Sequence, residues 1–312
     1  MGAMTAVIDW LMEGDPAIRW QVQRDLLDRA ESTWKRERAK VATHGWGAEL
    51  LQRQDPDGGW GNAVYSPKWT STHYTLLQLV RMGLPPSSRA GRRGVERLYD
   101  AARYQDGAVN FARTVPHPDE CVNGMVLLMA SYFGMTGPPT DGIAEWLTGQ
   151  VMDDGGFNCE LWRGATHGSF HTTISVLEGF EAYLATDPPR SIARPAQKAV
   201  REGREFLLRH RLYQSHRTGE VADRAFIKLS FPPRWHYDIL RGLEYFASTT
   251  MRPEPRCGDA IEILRRKRRP SGMWPLQNRH QGRLHFTMEQ GGQPSRWNTL
   301  RALRVLRWWA GS

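Results

Sequence analysis

The chain has 312 residues, 40% of them apolar and 24% charged, and only three cysteines. That composition excludes wholesale disorder and a disulfide scaffold, and it fits one large domain or two ordinary ones in a reducing cytoplasm. The net charge is +9, but the basic residues are spread along the chain apart from the run 265–269, which reads as a solvated helix end, so nucleic acid is not the expected partner.

No signal peptide is visible, and Met1-Gly2-Ala3 ahead of Met4 reads as a cloning scar. The longest uncharged run, Cys121 to Thr140, is broken by Gly134, Gly137 and Pro138-Pro139, leaving an apolar part too short to span a bilayer. Thirteen tryptophans among many glycines and prolines suggest large rigid walls joined by tight turns.

Residues 4–41, including Asp15-Pro16-Ala17-Ile18, supply opening helices. A glycine-aromatic turn then recurs at Gln54-Asp55-Pro56-Asp57-Gly58-Gly59-Trp60, Gln105-Asp106-Gly107-Ala108-Val109, Asp153-Asp154-Gly155-Gly156-Phe157 and Pro270-Ser271-Gly272-Met273-Trp274. Asp-Gly and Gly-Gly suit turns because glycine accepts positive φ, and the aromatic that follows can pack back on a helix. Inner apolar helices follow the turns: 73–79, 121–133, 171–177, 237–246 and 298–309. Amphipathic outer helices lie between them: 48–53, 93–102, 143–150, 196–210 and 260–268. Nothing reads as a period-2 sheet. The pattern of outer helix, turn and inner helix predicts a single all-α domain over 4–312 whose units must stack to bury their apolar faces. Stacking this many units can close a ring; an open solenoid is the alternative.

The Gln54–Trp60 and Asp153–Phe157 turns resemble the QW motifs of squalene–hopene cyclases and the equivalent turns of protein prenyltransferase β subunits. The resemblance runs from about Gln52 to the C-terminus and implies an α/α toroid, two concentric helix layers around a central cavity. Unit four is degenerate, with Phe231-Pro232-Pro233-Arg234-Trp235 where a Gly-Gly-Trp turn is expected.

In such a ring the starts of the inner helices converge, and His73, Cys121 and His171 read as equivalent starts about fifty residues apart. With Asp119 at an N-cap position, a carboxylate, a thiolate and an imidazole make a three-ligand zinc set with an open fourth position. Asp119-Glu120-Cys121 followed by His171 in Ser169-Phe170-His171-Thr172 resembles the zinc ligands of the prenyltransferase β subunits, and Arg113 matches a family arginine for the prenyl diphosphate. Cys159 and His167 are alternative ligands, while Cys257 is remote from the pattern.

The family's lysine is replaced by Pro116, beside His117, and its diphosphate-binding histidine falls near Thr70, two residues from Lys68. The tyrosine after the ligand cysteine is Val122. Whether an α-subunit partner exists is not inferable from one chain. The class II cyclase branch uses an Asp-x-Asp-Asp acid that is absent here, which leaves Glu120 or Asp238 as proton donors. A late polar set, including Arg234, His236, Asp238, Arg296 and Asn298, reads as an anion or polar-head clamp, or as helix capping.

The resulting expectation is an enzyme acting on an isoprenoid-like or other apolar small molecule. Asp119, Cys121 and His171 would hold zinc, and His73, Glu120, His236 and Asp238 are candidate catalytic groups. Arg113, Lys68, His117, Trp60, Arg234 and Arg296 are candidates for holding substrate. Zinc-dependent prenyl transfer leads; a metal-free terpene cyclase and a noncatalytic binder of a lipid, peptide or polyanion are the rivals. Signatures for nucleophile-elbow hydrolysis, phosphate loops and zinc peptidases are missing.

Overall fold

A computed structural model describes residues 2–112, 115–249 and 251–311. Within them the chain is all-α, as expected for an α/α toroid: thirteen α-helices and one short hairpin. In order these are α1 (Gly2–Met12), α2 (Pro16–Asp25), α3 (Glu31–Ala39), α4 (Gly45–Leu51), α5 (Thr72–Met82) and α6 (Arg89–Ala101). The hairpin β1 (Arg103–Gln105) and β2 (Ala108–Asn110) precedes α7 (Glu120–Tyr132), α8 (Pro138–Thr148) and α9 (Phe170–Leu184). Last come α10 (Arg190–Arg209), α11 (Ile239–Ser248), α12 (Gly258–Arg266) and α13 (Arg296–Ala310). Each predicted inner helix corresponds to one of α5, α7, α9, α11 and α13, and each outer helix to one of α4, α6, α8, α10 and α12. No described helix is long and apolar enough to cross a membrane.

The chain, expected as one domain, divides into two compact units: residues 1–52, 81–85 and 208–312 form the first, and 53–80 with 86–207 the second. In the first unit α1 and α2 pack against α13. Arg296 at the start of α13 donates to the Trp10 carbonyl at 3.0 Å and lies over the Trp10 ring. Arg304 reaches Asp25 at 2.8 Å and Glu244 at 2.7 Å, and Trp46 stacks on the buried Trp297. Asp15 caps α2 ahead of Pro16 at the first helical position, accepting from Ala17 N and Trp46 N at 2.8 Å each.

Helices α7 and α9 meet in the second unit at two glycines. Gly124 lies against the backbone of Ser175 and Val176, and Gly179 against the Gly124 carbonyl, so neither position has room for a Cβ.

The glycine-aromatic turns share one hydrogen bond that ties each to its inner helix. The backbone N–H of Trp60 donates to Thr72 Oγ1 at 2.9 Å, that of Phe157 to Thr173 Oγ1 at 2.9 Å, and that of Trp274 to Thr299 Oγ1 at 3.0 Å. In the second turn Val109 N donates to Asn123 Oδ1 at 2.8 Å, and Asn123 Nδ2 returns a bond to Val109 O. These donors are buried, and a buried N–H without a partner is costly, so a short polar side chain on the helix fixes the turn in place. Trp60, Phe157 and Trp274 are fully buried beneath it.

Two features differ from the sequence reading. Asp106 and Gly107, both at positive φ, close β1 and β2 as a two-residue hairpin, where only a turn was expected. In the degenerate fourth unit Asp238, at the start of α11, takes over the tethering role: Oδ2 accepts from Ser230 N at 2.9 Å and Ser230 Oγ at 2.5 Å.

Candidate functional site

The chemically loaded region of the second unit lies around the first turn of α7. Glu120, the first residue of that helix, is 3% exposed, and its Oε2 has no hydrogen-bond partner among the described residues. A helix N-terminus favours a carboxylate, but burial outweighs it and pushes the carboxyl up to about 7, with the negative charge of Asp119 adding to the effect. A hydrogen bond with Cys159 works the other way. Glu120 therefore retains a proton on a large fraction of molecules at neutral pH.

Asp119 occupies the N-cap position of α7 but makes no capping bond with its side chain, contrary to the expected role. Burial and the neighbouring Glu160 raise its carboxyl, while Lys68 and Arg163 oppose that shift. Cys121 N donates to Cys159 Sγ at 3.2 Å, and Thr172 Oγ1 donates to the same sulfur at 3.5 Å. The hydrogen bond with Cys159, then burial, holds the Cys121 thiol well above its ordinary value, so it is a thiol rather than a thiolate.

An aromatic cluster adjoins these groups. Tyr65 lies near Cys121, Asp119 and Cys159, which together with burial raise its phenol. It packs edge-on to His73 at 5.2 Å and stacks on Phe111 at 6.3 Å, and its hydroxyl accepts from Tyr74 Oη at 3.0 Å. Lys68 sits 5.8 Å from the centre of the Tyr65 ring. His73 is fully buried among the rings, and neither ring nitrogen has a hydrogen-bond partner among the described residues. Burial, aided by Lys68, pushes it down to about 3. It is a neutral imidazole at any ordinary pH.

The predicted equivalence of His73, Cys121 and His171 holds for two of the three. Counted from the residue that accepts the turn's N–H (Thr72, Asn123, Thr173), Cys121 and His171 each lie two positions earlier. The matching residue in the first repeat is Thr70, whereas His73 lies one position later and matches Gly124 and Ile174. The error arises because turn and helix are separated by 12, 14 and 16 residues in successive repeats, so a fifty-residue count drifts out of phase.

The expected zinc set does not fit what is present. No group of three or more His, Cys, Asp or Glu side chains among the described residues is disposed to hold a metal ion. His171, half-buried in the first turn of α9, joins no such group. No step is derived through zinc at Asp119, Cys121 and His171.

Of the expected substrate-holding residues, Arg113 lies outside the described residues. His117 is exposed and packs against Trp162 at 5.4 Å. Lys68 is exposed beside the aromatic cluster, and Trp60 is entirely enclosed within its turn. Arg296 is engaged with α1, as described above.

In the first unit, Asp238 and Arg234 are buried. Besides its two bonds from Ser230, Asp238 caps α11 by accepting from Arg241 N at 2.9 Å, so its carboxylate is held by three donors. Those bonds give it a structural role. His236 is sandwiched between Trp235 and His280, at 3.7 Å from each ring centre. His280 is pushed down to about 4 by burial, which outweighs the pull of Asp238. Asn298 donates to the Pro275 carbonyl at 3.0 Å, and Arg301 to the Ser230 carbonyl at 3.0 Å, so this polar set braces the loops before α11 and α13.

Sequence reasoning named Cys159 as an alternative ligand at this site, but not its hydrogen bond with Cys121, thirty-eight residues away, or the approach of Tyr65 to both. The signal for Glu120 was present but slight: a carboxylate at a helix start that continues directly into the apolar run beginning at Cys121.

No protein-family model matches the sequence, and no curated protein sequence matches it. Among solved structures, the chain is similar to the type II terpene cyclase MstE from Scytonema. A variant of MstE in complex with the product merosterolic acid A matches at 12% identity and a TM-score of 0.34, covering 88% of this chain and 97% of that one. A second variant, in complex with the substrate geranylgeranyl dihydroxybenzoate, gives the same values. Apo MstE matches at 13% identity and a TM-score of 0.31, covering 87% and 96%. A likeness this slight carries no argument about activity.

Proposed function

We propose that the chain is a metal-independent, terpene-cyclase-like enzyme in which the carboxylic acid of Glu120 starts the reaction of an isoprenoid-like substrate. The observation that supports this reading is geometric: a buried carboxyl with an unpartnered oxygen at an inner-helix start, between Asp119 and Cys121 in the chain, the two residues that lie near Tyr65. A buried carboxyl with one oxygen left without a partner among the described residues holds its proton more tightly, because the ionised form loses more hydration than its hydrogen bonds restore.

The same burial limits what Glu120 can protonate. Raising the group from 4.5 to about 7 makes proton donation harder by about 3 kcal/mol, at 1.36 kcal/mol per pKa unit. An isolated alkene, for which the cyclases resembled here use a dedicated Asp-x-Asp-Asp acid, is therefore a poor acceptor. An oxygen on the apolar substrate, such as an epoxide, is a better one.

In the proposed step the Glu120 O–H bond breaks and the proton passes to that oxygen, leaving the electron pair on the carboxylate. The carbon–oxygen bond opens, an alkene of the same chain closes onto the electron-deficient carbon, and loss of a proton from the ring cation restores the acid. The net change is an isomerisation.

The test is turnover of an acyclic polyprene terminal epoxide in the presence of EDTA. Wild type is expected to cyclise it with the chelator present, and Glu120→Gln to lose about 100-fold or more in kcat while keeping its circular dichroism spectrum. Retained turnover in the Gln variant, or loss of wild-type turnover on chelation, overturns the proposal.

A further inference from the structure

A second concave site lies within the first unit and takes no part in the chemistry proposed above. It is a cavity of about 930 Å³ bounded by α1, α2, α12 and α13. Its apolar wall is formed by Ile8, Met12, Leu26, Leu27, Leu303 and Leu306. Ligand pockets in proteins occupy about 300–1,000 Å³ and combine an apolar lining with a few polar groups. This cavity has both features.

Its polar groups are strongly biased toward positive charge. Arg29, Arg265, Arg268 and Arg307 line it against the single carboxylate of Asp9. Two of the four already meet acids near solvent: Arg265 contacts Glu262 at 2.5 Å, and Arg307 contacts Asp28 at 2.7 Å. Such exposed pairs hold their partners weakly and exchange readily for a better anion. Arg268 donates to the Gly272 carbonyl and lies over Trp274, which fixes its direction. Arg29 is exposed and makes no ion pair among the described residues.

One further observation points to a missing polar partner. Gln23, at the inner wall, has a buried Oε1 with no hydrogen-bond partner among the described residues. Buried polar atoms are paired in the great majority of cases, so an orphan beside a cavity is satisfied by what enters it.

We propose that this cavity binds a single-chain anionic amphiphile. Its hydrocarbon tail would lie along the leucine and methionine wall, and its carboxylate or phosphate would meet the arginines. A hydroxyl or protonated acid on the head would donate to Gln23. Guanidiniums suit such a head because each offers planar paired donors to an oxyanion. The site is independent of Glu120, and its test needs no turnover.

The experiment is calorimetric titration of the intact protein with oleate below its micellar concentration, beside decanoate, oleyl alcohol and vesicles of phosphatidylglycerol. Saturable one-to-one oleate binding is expected, weakening by about fourfold for each methylene removed from the tail. Oleyl alcohol should bind at least about tenfold more weakly, through loss of the charge-assisted bonds. Arg29→Glu should weaken oleate about fivefold or more, and Met12→Trp, which narrows the cavity at its apolar wall, should weaken it with an unchanged melting temperature. If Met12→Trp perturbs folding, the Arg29 variant and the tail-length series decide. Absence of saturable oleate binding, indifference to tail length and to Arg29→Glu, or binding to vesicles without binding of monomeric oleate each overturns the proposal.

Discussion

Replacing Gly124 by alanine tests how closely α7 and α9 approach. A methyl at Gly124 would lie 2.7 Å from the Ser175 carbonyl oxygen and 2.8 Å from both the Ser175 carbonyl carbon and Val176 Cα. All three are backbone atoms, so no side chain can swing away and the helices must separate. Overpacking of this kind costs about 1–3 kcal/mol, and a backbone clash belongs at the upper end. Against it stands the gain of about 1 kcal/mol when alanine replaces glycine within a helix. The net expectation is a loss of about 2 kcal/mol, read as a fall in melting temperature of about 3 °C for a chain of this length. Gly258→Ala is the control. That residue has φ −54° at the start of α12, with nothing within 4 Å of an added methyl. It should stabilise by about 0.5–1 kcal/mol. A Gly124→Ala protein that melts at or above wild type would show that the two helix backbones are not in contact.

Further consequences follow from the turn tethers and the buried acids. Thr72→Val, Thr173→Val and Thr299→Val each strand a buried N–H, and each is expected to cost about 1–3 kcal/mol in urea denaturation. Asp238→Ala removes the acceptor for Ser230 N, Ser230 Oγ and Arg241 N, and should cost about 2–4 kcal/mol, with Asp238→Asn milder. Glu120 gives stability a pH dependence of defined sign. Its folded value of about 7 lies above the ordinary 4.5, so the folded state binds more protons between those limits and stability falls as pH rises through them. The loss is on the order of 3 kcal/mol from this group, and the slope should flatten in Glu120→Gln when unfolding free energies at pH 5 and pH 8 are compared.

The ten repeat helices were legible because apolar residues at helical spacing and glycine-bearing turns write themselves into sequence. Their phase was not. The residue that sets it is a threonine or an asparagine, chemically unremarkable until its hydrogen bond to the turn is seen, and the loops between turn and helix vary in length. His73 was consequently placed one helix position beyond the tethering residue, while Cys121 and His171 were placed correctly. Asp119 shows the reverse difficulty: the N-cap position was legible, but whether the carboxylate caps the helix depends on side-chain direction. The proximity of Cys159 to Cys121 depends on how the loop 158–169 folds over α7, which no local pattern encodes. Asp238 was legible as a polar residue near an inner-helix start, but its partner Ser230 was not, because their pairing replaces a turn that the fourth repeat lacks.

Titration of the Glu120 carboxyl itself tests the account most directly. Carbon-13 NMR of protein labelled at glutamate carboxyls, compared with Glu120→Gln to assign the missing signal, should show one carboxyl with a midpoint near 7. A midpoint near 4.5 would mean that the group is ionised at neutral pH, has no proton to give, and cannot start the proposed reaction.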